Sequence, residues 1–318
     1  MVMPRQPLGH NMEARRTDLA IPRSIEAANR TARRVGIALV GPALGLIIAI
    51  NILPAFYGFY SSLRKVFFFR DDGFIGLQNY VELFQSPLTW QAIGRSLTFT
   101  FGSLALAVPL ALLVALGVRQ LGARGRLLLT VLLVPWAMSP IVVALLWKWI
   151  LLPSPGGLAA SILAVVGLPP ANLLSDPSFA MPTIIVVGVW RTFAFASIIL
   201  IAGLGQIPAD LYRAAAVDGL GVIERFRKIT LPLLAPSLLI VLSMLTISYF
   251  NEVQIIIGLT SGGPIHRTTT LGFLLYQTGF VELNQGRGNA IAIMMFLINL
   301  LLITGYVKLL GDKTRSEA

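Results

Sequence analysis

Apolar residues run through the chain in six long blocks, at about 35–61, 94–118, 127–152, 179–204, 235–259 and 288–311. Each is longer than the roughly 18 residues an apolar helix needs to cross the hydrocarbon layer. The pattern predicts an all-α, polytopic membrane protein with about six transmembrane helices. Pro42, Pro54, Pro109, Pro135 and Pro140 fall inside the blocks. Spans tolerate them because neighbouring helices and hydroxyl side chains re-satisfy the freed backbone groups, so kinks are expected there.

Three of the connecting segments are too long and too apolar to be tight turns. Residues 63–92 contain Gly76-Leu77-Gln78-Asn79-Tyr80 and then Val81-Glu82-Leu83-Phe84. Residues 155–178 hold Pro155-Gly156-Gly157, a short apolar helix near 158–167, and Pro169-Pro170. Residues 260–287 follow a Leu259-Thr260-Ser261-Gly262-Gly263-Pro264 turn. Structured segments of this kind read as a docking surface or, equally, as a lid over the spans.

Composition sharpens the membrane reading. Of the 318 residues, 56% are hydrophobic and 12% charged, against about 25% charged in an average soluble domain. The absence of cysteine excludes disulfide scaffolds, thiol nucleophiles and thiolate metal sites. His10 and His266 are too few for a histidine-rich metal centre. Residues 1–34 are polar and Arg-rich, without the apolar core of a signal peptide, so the first block is expected to be a retained span. The Asn29-Arg30-Thr31 sequon in this basic tail reads as chance.

The net charge of +11 follows from topology. The N-terminal tail, the 119–126 and 205–234 loops and the C-terminal tail carry seventeen Lys and Arg residues, and the opposite set carries seven. Positive loops stay in the cytoplasm, which puts both termini there and removes the case for nucleic-acid binding. The predicted organisation is a cytoplasmic basic tail over 1–34, a transmembrane domain over 35–311 and a short cytoplasmic tail over 312–318.

The 205–234 loop carries the most information. Pro208 suits a helix start and Asp210 its first turn. Gly219 suits the left-handed residue that closes that helix. A second helix is predicted from about Val222 to Ile229, with Pro232 stopping it. The small Ala214-Ala215-Ala216 face permits close approach by a partner, and Phe226 and Ile229 share a face. So apolar a loop is costly in water without a partner; its form is that of a rigid cytoplasmic knob rooted in two spans.

At these residues the chain resembles the permeases of ATP-binding-cassette importers, whose EAA signature has Glu-Ala-Ala, Asp-Gly, Ile and Leu-Pro at fixed spacing. Ala214-Ala215, Asp218-Gly219, Phe226, Ile229 and Leu231-Pro232 stand in register, while Arg213 replaces the leading Glu. The resemblance covers about residues 35–310. The 76–80 segment and the 259–264 turn are similar to the carbohydrate branch, in particular the maltose- and glycerol-phosphate-type first permease. It implies a type I importer permease fold and a bacterial or archaeal inner membrane. It also implies a coupling loop seated in a cleft of a separate ATPase subunit. The implied partners are a second homologous permease, two ATPase copies and an extracytoplasmic solute-binding protein, besides membrane lipid. ATP and Mg belong to the ATPase, since this chain has no Gly-x-x-x-x-Gly-Lys-Ser/Thr loop. No cofactor, metal or catalytic role is expected on this chain.

Charged residues inside spans cost about 2.5–3.5 kcal/mol at mid-membrane on insertion scales, so they default to functional hypotheses. Arg191, beside Trp190 in the fourth block, and Glu252, within Tyr249-Phe250-Asn251-Glu252-Val253-Gln254 in the fifth, are the two candidates. One reading is a buried Arg191–Glu252 pair that fixes helix packing. The other is a cavity in which Trp190, Tyr249 and Phe250 stack on sugar faces while Asn251, Glu252 and Gln254 bond hydroxyls. Lys148, between Trp147 and Trp149, reads as an interfacial anchor. Two other classes compete: an ion-coupled secondary transporter lacks the internal repeat it would need, and a membrane enzyme lacks a convergent catalytic set.

Overall fold

The computed structural model describes residues 37–38, 40–153, 156–165 and 172–315. The basic tail 1–34 with its sequon, Pro155, Pro169-Pro170 and residues 316–318 lie outside the described residues. Contacts divide the chain after Tyr57. In the first unit the described residues are helical, with a wide π turn at Ile48–Ile52 and apolar side chains largely exposed. This helix is α1, Val40–Ser62.

The second unit opens with a two-stranded antiparallel hairpin, β1 (Arg64–Phe67) and β2 (Arg70–Phe74), the exception to the all-helical expectation. Helix α2 (Gln78–Gln85) follows, and then α3 (Pro87–Leu121), a single 35-residue helix that keeps Pro109 inside. Asn79 explains why the 76–80 segment folds back on the end of α1. Its buried amide donates to the carbonyls of Ser62 at 2.8 Å and Arg64 at 3.1 Å, and Tyr80 and Ser62 share a hydroxyl bond of 2.7 Å.

The third apolar block is not one straight span. It forms α4 (Ala123–Ala137) and α5 (Pro140–Ile150), bent by 97°. Pro140 is the cause: its ring disfavours helical backbone in the preceding residue, and Ser139 is extended at φ −59°, ψ 135°. The short helix predicted near 158–167 is α6 (Leu158–Val165). The fourth block is α7 (Ala180–Gly205).

Helices α8 (Ala209–Val217) and α9 (Val222–Leu233) form the hairpin of the 205–234 loop. Pro232 does not stop α9, a correction to the sequence reading. The backbone widens to a π turn over Phe226–Thr230, with Leu231 N–H bonding Phe226 C=O. That wide turn relieves the clash of a proline ring with the preceding turn. The chain instead bends by 67° at Leu234 into α10 (Ala235–Phe250).

The fifth block also breaks, after Phe250, before α11 (Gln254–Leu259). No proline is involved. Asn251 Nδ2 donates to Ile247 C=O at 2.8 Å, and the Glu252 carboxylate accepts from Ile255 N–H at 3.0 Å. Side chains thus satisfy the backbone groups that the break frees. Helices α12 (Leu271–Val281) and α13 (Gln285–Arg315) complete the unit. Among the described residues four helices are long and apolar enough to span, or up to six counting each bent pair as one.

Helices α3 and α7 make the most extensive contact. Ala107, Ala111 and Ala115 lie four residues apart on α3 and are fully buried in the main core with Ile184, Leu200 and Leu245. Small residues let helices approach closely where lipid supplies no hydrophobic drive between them. Phe250, Leu271, Ala290 and Ile291 form a second cluster joining α10, α12 and α13. Ser96 of α3 ties these parts by accepting Leu271 N–H at 2.8 Å.

Candidate functional site: the 205–234 knob and the α7–α10 crossing

In the knob, helix α8 closes by a complete Schellman arrangement. Gly219 sits at φ +78°, its N–H bonds Ala216 C=O at 3.2 Å, and Leu220 N–H bonds Ala215 C=O at 2.9 Å. Both last carbonyl groups are thereby satisfied. Glu224 accepts Gly221 N–H at 3.3 Å and so opens α9. The two helices are joined by the Tyr212–Thr230 hydroxyl bond of 2.9 Å.

The knob is rooted in two spans. Arg119, at the end of α3, places its guanidinium 5.3 Å from the Tyr212 ring centroid and donates to Leu204 C=O of α7 at 3.2 Å. Ile229 packs against the main core, and Ala215 is buried. The outer surface is apolar and open: Val217 is 88% exposed, and Val222, Ile223, Leu231 and Leu233 are also exposed. A groove of about 680 Å³ lies between the end of α3 and the two knob helices, lined by Leu116, Arg119, Tyr212, Val222, Ile223 and Phe226. Arg213 forms an ion pair with Asp210 on the same helix. The charge reversal at this position is therefore answered inside the chain.

The second group of candidates lies where α7 crosses α10. The Tyr249 hydroxyl bonds Thr192, whose own proton goes to Gly188 C=O, and its ring meets Phe99 edge-on at 5.8 Å. Tyr249 and Phe250 are only 2% and 1% exposed. Both are enclosed by helix packing in this structure. Periodicity alone does not reveal this enclosure, because both helix faces here are apolar.

Arg191 and Glu252 form no ion pair. Glu252 accepts the Ile255 N–H at the start of α11, and the buried Arg191 Nε has no hydrogen-bond acceptor among the described residues. Trp190 is half-buried and meets Trp147 of α5 edge-on at 5.4 Å. Asn251 and Gln254 are exposed, and Asn251 lines a groove of about 340 Å³ with Ile247, Met295 and Asn299. The sequence reading missed Trp147, Trp136 and Phe195. Phe195 lies one turn from Arg191 and stacks on Trp136 at 4.2 Å. Lys148 is exposed beside these aromatics.

Long apolar helices, two pairs of them sharply bent, with a compact two-helix knob tied to α3 and α7, are the architecture of an integral membrane protein. Residues 107–315 match the binding-protein-dependent transport system inner membrane component family, and the chain belongs to it. It is 36% identical over 278 residues to the trehalose/maltose transport system permease protein MalF of Thermococcus litoralis, covering 86% of this chain and 93% of that one. It is 34% identical to the sn-glycerol-3-phosphate transport system permease protein UgpA of Salmonella choleraesuis, covering 88% and 95%. The fold matches a chain of a bacterial alginate ABC transporter, solved in complex with an alginate pentasaccharide-bound periplasmic protein, with a TM-score of 0.78 at 23% identity. That match covers 90% of this chain and 97% of the other.

Proposed function

We propose that the chain is the permease subunit of an ATP-driven, binding-protein-dependent importer of a carbohydrate-like solute, with both termini in the cytoplasm. The observation that carries the coupling is the open apolar knob fixed to α3 and α7 by Arg119. A partner that moves the knob moves two spans with it. ATP and Mg act on a separate ATPase, two copies of which grip this knob and that of a second, homologous permease. A solute-binding protein delivers the solute. Relatives that handle trehalose, maltose and glycerol phosphate support the carbohydrate class.

Within the pathway, Trp190, Arg191, Asn251 and Gln254 remain the candidates for solute contact, since Asn251 and Gln254 are exposed and Trp190 and Arg191 half-buried where Tyr249 and Phe250 are enclosed. Arg191, with no carboxylate partner among the described residues, favours a solute with an anionic or strongly accepting group. The test is ATP-dependent uptake by the reconstituted complex with its binding protein, offered radiolabelled trehalose and glycerol 3-phosphate. Saturable uptake of either, abolished without ATP, is the expected result. Uptake driven by an ion gradient alone would replace this reading with a secondary transporter.

A further inference from the structure

The β1–β2 hairpin turns through two phenylalanines. Phe67 pairs with Arg70, so Phe68-Phe69 form a two-residue connection, and both have positive φ, 50° and 61°. Such turns call for Asn-Gly or similar residues, because the left-handed region suits little else. A bulky residue held there is an outlier and motivates a functional hypothesis. These rings do not pack: Phe69 is 79% exposed, and Phe67, Phe68 and Phe74 are exposed too.

The backbone N–H groups at the tip are nevertheless paired. Phe68 N–H bonds Leu283 C=O at 2.9 Å, Phe69 N–H bonds the Gln285 carboxamide at 3.3 Å, and Phe67 bridges Asn284. Exposed Phe280 and Val281 lie two to three residues from Leu283 and extend the apolar surface. Behind the tip, the charges pair with one another: Arg64 with Asp71 at 2.6 Å, Arg70 with Asp72 at 3.2 Å and Lys65 with Asp72 at 3.9 Å.

We infer that the Phe67–Phe69 tip inserts into the lipid bilayer beside the end of α1, with the Arg64–Asp71 and Arg70–Asp72 pairs as a collar at headgroup level. Three observations favour lipid as the occupant. The hairpin begins two residues after a span ends. Its tip backbone donors are paired, as a medium without water requires. Its charged side chains, Arg70 at the edge of the tip included, pair with one another behind the Phe68-Phe69 turn, as an interfacial position requires. The proposed topology enters only in naming the leaflet, the outer one.

The chain has no cysteine, so one introduced thiol carries one spin label. Phe68→Cys and Phe69→Cys, each labelled in the full chain in phospholipid nanodiscs, are compared with Asp72→Cys. The expected result is oxygen accessibility above that of a water-soluble nickel chelate at both tip sites, and the reverse at 72. Two tip variants guard against one that misfolds. Chelate-accessible labels at both tip sites would overturn the inference. So would tip labels that are water-exposed until a solute-binding protein is added and then become immobilised, which would make the tip a protein contact. Oxygen-accessible labels in vesicles whose thiols react only from the cytoplasmic side would leave insertion intact and overturn the topology instead.

Discussion

At the scale of single residues, the most legible position was Gly219. Asp-Gly after an alanine run announces a left-handed closure, and the residue stands at φ +78°. Gly219→Ala forces a side chain into that region at about 1–2 kcal/mol. Hydrogen exchange of the Ala214–Leu220 amides is expected to speed up by roughly 5–30-fold, with the remainder of the chain unchanged. Tyr249 was not legible. An aromatic among polar neighbours in a span reads as a ligand, and only the packing of α3 against α7 shows that its ring is enclosed. Tyr249→Phe is expected to cost about 1 kcal/mol of stability by thermal unfolding in detergent, while the apparent KM for solute stays as in the wild type. Arg191→Met, in contrast, is expected to raise that KM at least several-fold with little loss of stability, since no hydrogen bond to Nε is given up.

At the scale of elements, the apolar blocks fixed where helices lie but not all of their breaks. The 97° bend before Pro140 follows from a local rule about the residue ahead of proline. The break after Phe250 has no such signal. It is held by Asn251 and Glu252 bonding backbone that a continuous helix would have used. The hairpin was hidden for the same kind of reason, since Phe-Phe carries no turn signature. Its collar makes a pH prediction. Arg64 beside Asp71, with the Gly73 N–H, holds that carboxyl below its ordinary range. A depressed folded pKa contributes stability above the unfolded value of about 4, and that contribution is lost as pH falls through the folded value. Hairpin order, read from the line width of a label at position 72 of the full chain, is expected to hold from neutral pH to about pH 4 and to fall below it. Because the pair is exposed, the effect should shrink at high salt.

At the scale of the whole molecule, the sequence reading and the structure agree on a helical permease with a compact two-helix knob between its fourth and fifth apolar blocks. The central claim is that an ATPase holds that knob. It is tested most directly by purifying the tagged chain from its native membrane in gentle detergent and quantifying the proteins that stay bound, with and without Gly219→Pro. The account predicts that the wild type retains a homologous permease and an ATPase, and that the variant keeps the permease and loses the ATPase. A chain recovered without any ATPase, or a variant that holds it as well as the wild type, would contradict the account.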